Sequence, residues 1–281
     1  MPIVLFVMLL LAAPLAAETP DNPFMDVPAA ELRQRIAALE PVHKENWYEV
    51  EVIVFERRSP VSDEFWRLDQ QPQLAVSNSI IPGREVTLPE QADDIDRAAV
   101  ALGAWQWLEY EQLKLSATVE KMVRSGDYRI LLHQGWHQPT RERNRAFSLY
   151  LSGGDAIVPK ALAPDADGLL RAPPLLDPVF QFTDSSGQVN STRPLSEPEF
   201  QSTLKIYLSR YLHVEPDAWL AQDSALGQRY WVNIDQKRRM RSNELHYLDH
   251  PQFGILLRLT PWQTEEQQAV EQMEAALKSQ P

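Results

Sequence analysis

A chain of 281 residues that is 44% hydrophobic has the apolar content for one good-sized domain, or two small ones, around a packed core. Its 39 acidic residues against 27 basic ones leave a net charge of −12, a field that repels polyanions and argues against general nucleic-acid binding. The lack of cysteine excludes disulfides, thiolate metal ligands, cysteine nucleophiles and lipidation at a cysteine.

The N-terminal stretch MPIVLFVMLLLAAPLAA has an apolar run over residues 3–13, a helix-breaking Pro14 and then small residues. This pattern predicts a signal peptide over 1–17 with cleavage near Ala17, and the run is too short to span a membrane. Residues 18–46 read as a Pro-rich linker, ETPDNPFMDVP, and a short helix, AAELRQRIAALE, stopped by Pro41. A domain over 47–263 and a terminal helix over 264–281 complete the chain.

The domain opens on WYEVEVIVFER, which places Tyr48, Val50, Val52 and Val54 on one face and Glu49, Glu51, Ile53 and Phe55 on the other, as a central strand does. Residues 59–94 lack a sustained period and read as a surface connection. A helical region follows over 95–125, interrupted near Gly103, with Leu108, Leu115, Val119 and Met122 at helical spacing and Gly126 as its stop. In DYRILLHQGWHQP, Tyr128, Ile130, Leu132 and Trp136 share a strand face that ends at Pro139. The proline-rich stretch 152–200 is expected to be mostly irregular.

Three more strands are predicted, in STLKIYLSRYLHV, RYWVNIDQKRRMR and FGILLRL, before the helix TEEQQAVEQMEAALKS. The order predicts an α+β fold: a mainly antiparallel sheet of about five strands, helices on one face, long irregular loops, and a chain order compatible with a ferredoxin-like relative.

Several motifs carry candidate chemistry. His246, Asp249 and His250 form an H-x-x-D-H run close to a zinc-hydrolase motif, but the acid is Asp and Pro251 disfavours helical geometry at His250. His133 and His137 are four apart in a strand, ~13 Å along the chain, too far to share a metal. No G-x-S-x-G elbow is present, and SGGD and SSGQ read as loop composition. Lys237, Arg238, Arg239 and Arg241 end a predicted strand. Alternation sets Arg238 on one face and the other three on the opposite face, as a cradle for carboxylates or phosphates.

Four blocks give the chain a family resemblance: YEVEVIVFER at 48–57, YRILLHQGWHQP at 128–139, IYLSRYLH at 206–213 and RRMRSNELHYLDHPQFG at 238–254. Over about residues 47 to 263 it resembles the CsiV family of Gram-negative envelope proteins. It departs from that pattern in LSEPEFQSTLKIYL. The resemblance implies a periplasmic, non-enzymatic, peptidoglycan-binding protein without a cofactor, which supports wall synthesis by a class A penicillin-binding synthase through that synthase's lipoprotein activator. Binding residues do not carry over with it. The chain's own candidates are Arg238, Arg239 and Arg241 for stem-peptide carboxylates and Trp231 and Tyr247 for sugar faces, with His246 and His250 beside them. The alternatives are a wall-modifying or metal-dependent hydrolase using His246, Asp249 and His250, and a chaperone-like protein that binds peptides at a sheet edge.

Overall fold

The computed structural model describes residues 22–39, 44–60, 70–157, 197–223 and 229–280. The expected signal peptide and residues 158–196 of the expected irregular stretch lie outside the described residues. The chain divides into two units, 1–40 with 265–281, and 41–264.

In the smaller unit, α1 (Ala29–Ala38) and α4 (Glu265–Ser279) share a core of Leu32, Val270, Met273 and Ala276. Val270, Met273 and Leu277 recur at helical spacing, so one stripe of α4 is apolar and the rest is solvated. Asn22 closes the preceding turn, accepting from the Phe24 amide at 2.9 Å and donating to the Gln272 carbonyl at 2.7 Å.

The described residues of the larger unit form two sheets. The first has four antiparallel strands in the order β3 (Tyr128–Thr140), β1 (Asn46–Arg57), β10 (Phe253–Trp262) and β9 (Leu245–Asp249). The second runs β2 (Ser79–Ile80), β4 (Ser148–Ile157), β5 (Glu197–Leu208), β6 (Leu212–Asp223) and β7 (Arg229–Asp235), with β8 (Arg238–Met240) also paired to β6. All pairings in both sheets are antiparallel except the short β2–β4 contact. Alternation puts Val50, Val52, Val54 and Leu257 on one inner face and Leu204, Ile206, Val214 and Leu220 on the other, in one continuous core. Phe200 and Phe253 meet edge to face across it, centroids 6.4 Å apart.

The α+β class and antiparallel sheets match the sequence reading, while the strand count is about double the number expected. STLKIYLSRYLHV is two strands joined by a turn at 209–211. Because Leu208 and Leu212 are directly paired, the three-residue turn preserves the period of two and leaves no break in the pattern. RYWVNIDQKRRMR divides at Gln236 and Lys237, and the expected connection SNELHYLDHP contains β9, paired with β10 through Leu248 and Ile255. Residues 152–157 and 197–200 of the expected irregular stretch are strand. β1 and β3, linked through the helices, are adjacent and antiparallel, which differs from the split β-α-β of a ferredoxin-like sheet.

The residues of β3 also face differently from the sequence expectation. Its pairing with β1 shifts between Val54 and Phe55, which leaves Leu131 as an extra residue. Leu132 and Trp136 therefore face the inner core, whereas Ile130 pairs with Phe55, and Tyr128 meets the Phe55 ring edge-on at 5.1 Å on the outer face. The backbone of β4 approaches this bulge closely: a Cβ at Gly153 would collide with the Leu131 carbonyl oxygen.

The expected helical region is two helices, α2 (Asp94–Ala101) and α3 (Ser116–Ser125). Between them the chain satisfies the free edge of β3: the Trp105 amide donates to His137 O and the Leu108 amide to Gly135 O, both at 2.8 Å. A reciprocal capping box of Asp93 and Asp96 starts α2, and Gly126, at φ 76°, ends α3 as the sequence predicts. The outer face of the first sheet holds Glu51, only 3% exposed. Its carboxylate accepts the Lys114 and Leu115 amides at 3.0 and 2.8 Å and contacts His133 Nε2 at 2.8 Å, which fixes the entry to α3.

Trp136 is fully buried between the sheets. Trp136→Ala is expected to lower unfolding free energy by about 3–5 kcal/mol in urea titration, and a loss below about 1 kcal/mol would contradict its place in the core. Gly153→Ala is expected to cost about 1–3 kcal/mol by the same measurement, because the atom it meets is backbone and cannot rotate away.

Candidate functional site

The turn at 209–211 joins β5 and β6 at the end of the second sheet where β8 is also paired. His213 of β6 lies opposite Tyr207 on one side and Arg239 on the other. Residues directly opposite share a face, and the neighbouring pair Leu212 and Met240 points into the core. Tyr207, His213 and Arg239 therefore point outward together.

On that outer face the His213 ring stacks on Tyr207, centroids 5.1 Å apart and planes 13° apart. Tyr211, 44% exposed at the turn, has the Arg239 guanidinium carbon 4.6 Å and the Arg210 guanidinium carbon 5.6 Å from its ring centroid. Neither arginine forms an ion pair among the described residues, where the two cations share one aromatic ring.

Glu215 sits two residues further along β6 and is the counter-ion for the adjoining cations. It accepts Arg143 Nε at 3.0 Å and Nη2 at 2.9 Å, the Tyr207 hydroxyl at 2.9 Å, and lies 3.2 Å from Lys237 Nζ. The Arg143 hydrogen bonds, working against partial burial and helped by Tyr207 and Lys237, pull its carboxyl from the ordinary 4.5 down to about 2. Glu142, Arg143, Asn144, Tyr207, Ser209, His213 and Lys237 line an open groove of about 500 Å³. A second groove of about 410 Å³, lined by Arg141, Arg145 and Lys205 among others, shares Asn144 with it.

The loop RERNR at 141–145 supplies cations to both grooves. It is anchored by Arg141, whose buried guanidinium pairs with Asp96 and, at 2.8 Å, with Glu45. The Arg141 carbonyl also accepts the Leu208 amide at 2.9 Å, which ties the loop to the end of β5.

The sequence-derived candidates disperse. Arg239 and Lys237 belong to this face. Arg238, on the other side of β8 as alternation requires, donates to the Tyr247 carbonyl at 2.7 Å. Arg241 lies past the end of β8, 3.5 Å from Glu244, and its amide donates to His246 Nε2 at 3.1 Å, so it does not extend the row of cations. Tyr247 lies on the outer face of the first sheet, where its hydroxyl bonds Asp249 and Arg57. Burial and the hydrogen bond to Asp249 push the Tyr247 phenol up. Burial would raise Asp249, but the Tyr247 and Arg57 hydrogen bonds outweigh it and hold that carboxyl below its ordinary value.

Trp231 pairs with Ala221, eight residues along β6 from His213, or ~26 Å of strand. Only 9% exposed, it packs with Trp219 and Ala221 and offers no open platform. His250 accepts the Gln252 amide at 3.1 Å in the turn before β10. The H-x-x-D-H residues thus lie along extended chain with Asp249 already bound to Arg57 at 2.7 Å, and among the described residues no His, Asp and Glu group is placed to hold a metal. His133 and His137 line the outer sheet face as the spacing predicts, His137 stacked at 3.8 Å on Trp262.

Sequence reasoning missed Arg143, Arg210, Tyr211 and Glu215. The repeated arginines of RERNR and the Arg-Tyr pair at 210–211 were visible signals, but their meeting with Arg239 required the unrecognised turn.

No curated protein and no solved structure gives a match to this chain. A family model described as "Peptidoglycan-binding protein, CsiV" matches residues 30–262, from α1 to the end of β10, and so includes every strand of both sheets and the whole hairpin tip. With most of its length matched, the chain belongs to the CsiV family of peptidoglycan-binding proteins.

Proposed function

We propose that the protein is a non-enzymatic periplasmic component that binds peptidoglycan at the tip of the β5–β6 hairpin. In this reading it supports wall assembly as accessory to a class A penicillin-binding synthase and that synthase's lipoprotein activator. The observation that carries the binding reading is the Arg210–Tyr211–Arg239 group, two arginines without acidic partners among the described residues of a chain with net charge −12. Guanidinium forks match the carboxylates of the wall, and the adjoining groove offers hydrogen-bond donors from Arg143, Asn144 and Lys237.

The family's ligand is found in the periplasm, and the apolar stretch at residues 3–13 supports export there. No helix among the described residues is long and apolar enough to cross a membrane. The hydrolase alternative has less support, because Asp249 is committed to Arg57 and Tyr247 rather than presented to a substrate.

Protein purified from cells expressing the full chain is expected to sediment with sacculi and to be released as salt rises. Arg210→Glu with Arg239→Glu should lower the bound fraction at least tenfold at unchanged melting temperature, since both side chains are exposed, while Arg241→Glu should leave it within about twofold. Unchanged sedimentation of the double variant would remove the tip from the account. With Glu215 ionised above about 2, the Arg143 clamp is lost only as pH falls through that value, so this clamp should impose no pH dependence between about pH 5 and 8.

A further inference from the structure

This inference rests on the peptidoglycan reading and asks which part of the polymer the tip holds. Peptidoglycan offers two chemistries. Its glycan strands are largely neutral sugars, which proteins hold by stacking on bare aromatic faces and by side-chain hydrogen bonds. Its stem peptides carry free carboxylates.

The aromatic groups of this face are already engaged. Tyr207 is 2% exposed, with its ring against His213 and the Lys237 ammonium 5.6 Å from its centroid. Tyr211 is exposed, but two guanidiniums lie within 5.6 Å of its ring centroid. Trp219 and Trp231, toward the far end of the same sheet face, are each 9% exposed. Among the described residues no broad, unoccupied ring is left at the tip for a sugar.

The cations, in contrast, have unused capacity. Arg210 and Arg239 make no ion pair among the described residues, and Arg143 uses Nε and Nη2 on Glu215 while Nη1 has no hydrogen-bond partner there. Lys237 has three N–H donors, with Glu215 at 3.2 Å and the Tyr207 hydroxyl as its partners among the described residues. The Arg143–Glu215 contact, with Nε and Nη2 each about 3 Å from a carboxylate oxygen, shows within the site how a guanidinium here engages a carboxylate.

We infer that the tip recognises the stem peptides through at least two free carboxylates, one at Arg210 and Arg239 and one in the groove at Arg143 and Lys237. The tyrosine holds the guanidiniums in place rather than acting as a sugar platform. A transpeptidation cross-link breaks the bond before the terminal residue of the donor stem, releases that residue with its free carboxylate, and joins the acyl group left behind to an amine of the acceptor stem. A donor stem joined in this way has one carboxylate fewer to offer the site than an uncross-linked stem.

The test compares intact sacculi with sacculi whose carboxylates have been converted to amides by carbodiimide coupling, a change that keeps the glycan and still allows sedimentation. Binding is expected to fall at least tenfold on amidation. A free stem tetrapeptide should displace the protein from intact sacculi, and peptide-free glycan strands should not. Equal binding to amidated sacculi, or displacement by glycan strands alone, overturns the carboxylate inference and leaves the peptidoglycan reading standing. Absence of binding to intact sacculi, with retention on an immobilised acidic protein instead, overturns both. Arg143→Gln with Lys237→Gln, in protein that still unfolds cooperatively, should weaken tetrapeptide competition at least fivefold, and undiminished competition would remove the groove from the site.

Discussion

The burial of two aliphatic sheet faces against each other decides where the charged side chains of this protein can point. Val50, Val52 and Val54 on β1 and Leu204, Ile206, Val214 and Leu220 on β5 and β6 must face inward, so the residues between them must face outward. A one-residue slip of β6 would turn His213 and Glu215 into the core and Val214 into water, and the core forbids it. The register of β8 follows from the same constraint: Met240 is buried opposite Leu212, and this places Arg239 beside His213 on the outside. The cluster of charged side chains at the tip is therefore a consequence of packing.

Charged groups near the sheet boundary are handled by pairing. Arg129 of β3 reaches Glu56 on its own sheet at 2.8 Å and Glu199 on the other at 2.6 Å, and Gln222 of β6 donates to the second Glu56 oxygen at 2.7 Å. These contacts hold Arg129 firmly in its charged form and tie the sheets together where the β3 bulge and Gly153 bring their backbones close. Glu51 is treated similarly on the outer face, where backbone amides and His133 satisfy its carboxylate. Against these neutralised positions, Arg210 and Arg239 stand out because the described residues give them an aromatic ring and no acid.

Legibility in the sequence followed the strength of the local signal. WYEVEVIVFER alternates Glu49 and Glu51 with Val50 and Val52 before an apolar run, the pattern of a central or near-central strand, and β1 lies between β3 and β10; Gly126 is legible as a helix stop because glycine takes the left-handed conformation without steric cost. The turn at 209–211 was not legible, since three residues preserve the strand period and neither Gly nor Pro marks the reversal. That one omission separated Arg210 and Tyr211 from Arg239 in the sequence reading. The break at Gln236 and Lys237 is equally unmarked, and reading RYWVNIDQKRRMR as one strand groups Trp231 with the basic run, when β7 carries it along the same face to the opposite end of β6. The bulge at Leu131 was likewise hidden, because an inserted residue in an apolar strand changes facing without changing composition.

The central claim is that the hairpin tip, rather than the tryptophan end of the same sheet face, contacts the wall. Nitrogen-detected NMR of the arginine Nε–Hε and tryptophan indole N–H groups, titrated with a soluble disaccharide tetrapeptide, tests it most directly. The account predicts that Arg210, Arg239 and Arg143 shift together and saturably while the indoles of Trp219 and Trp231 stay in place. Shifts confined to those indoles, with all three arginines unmoved, would contradict it.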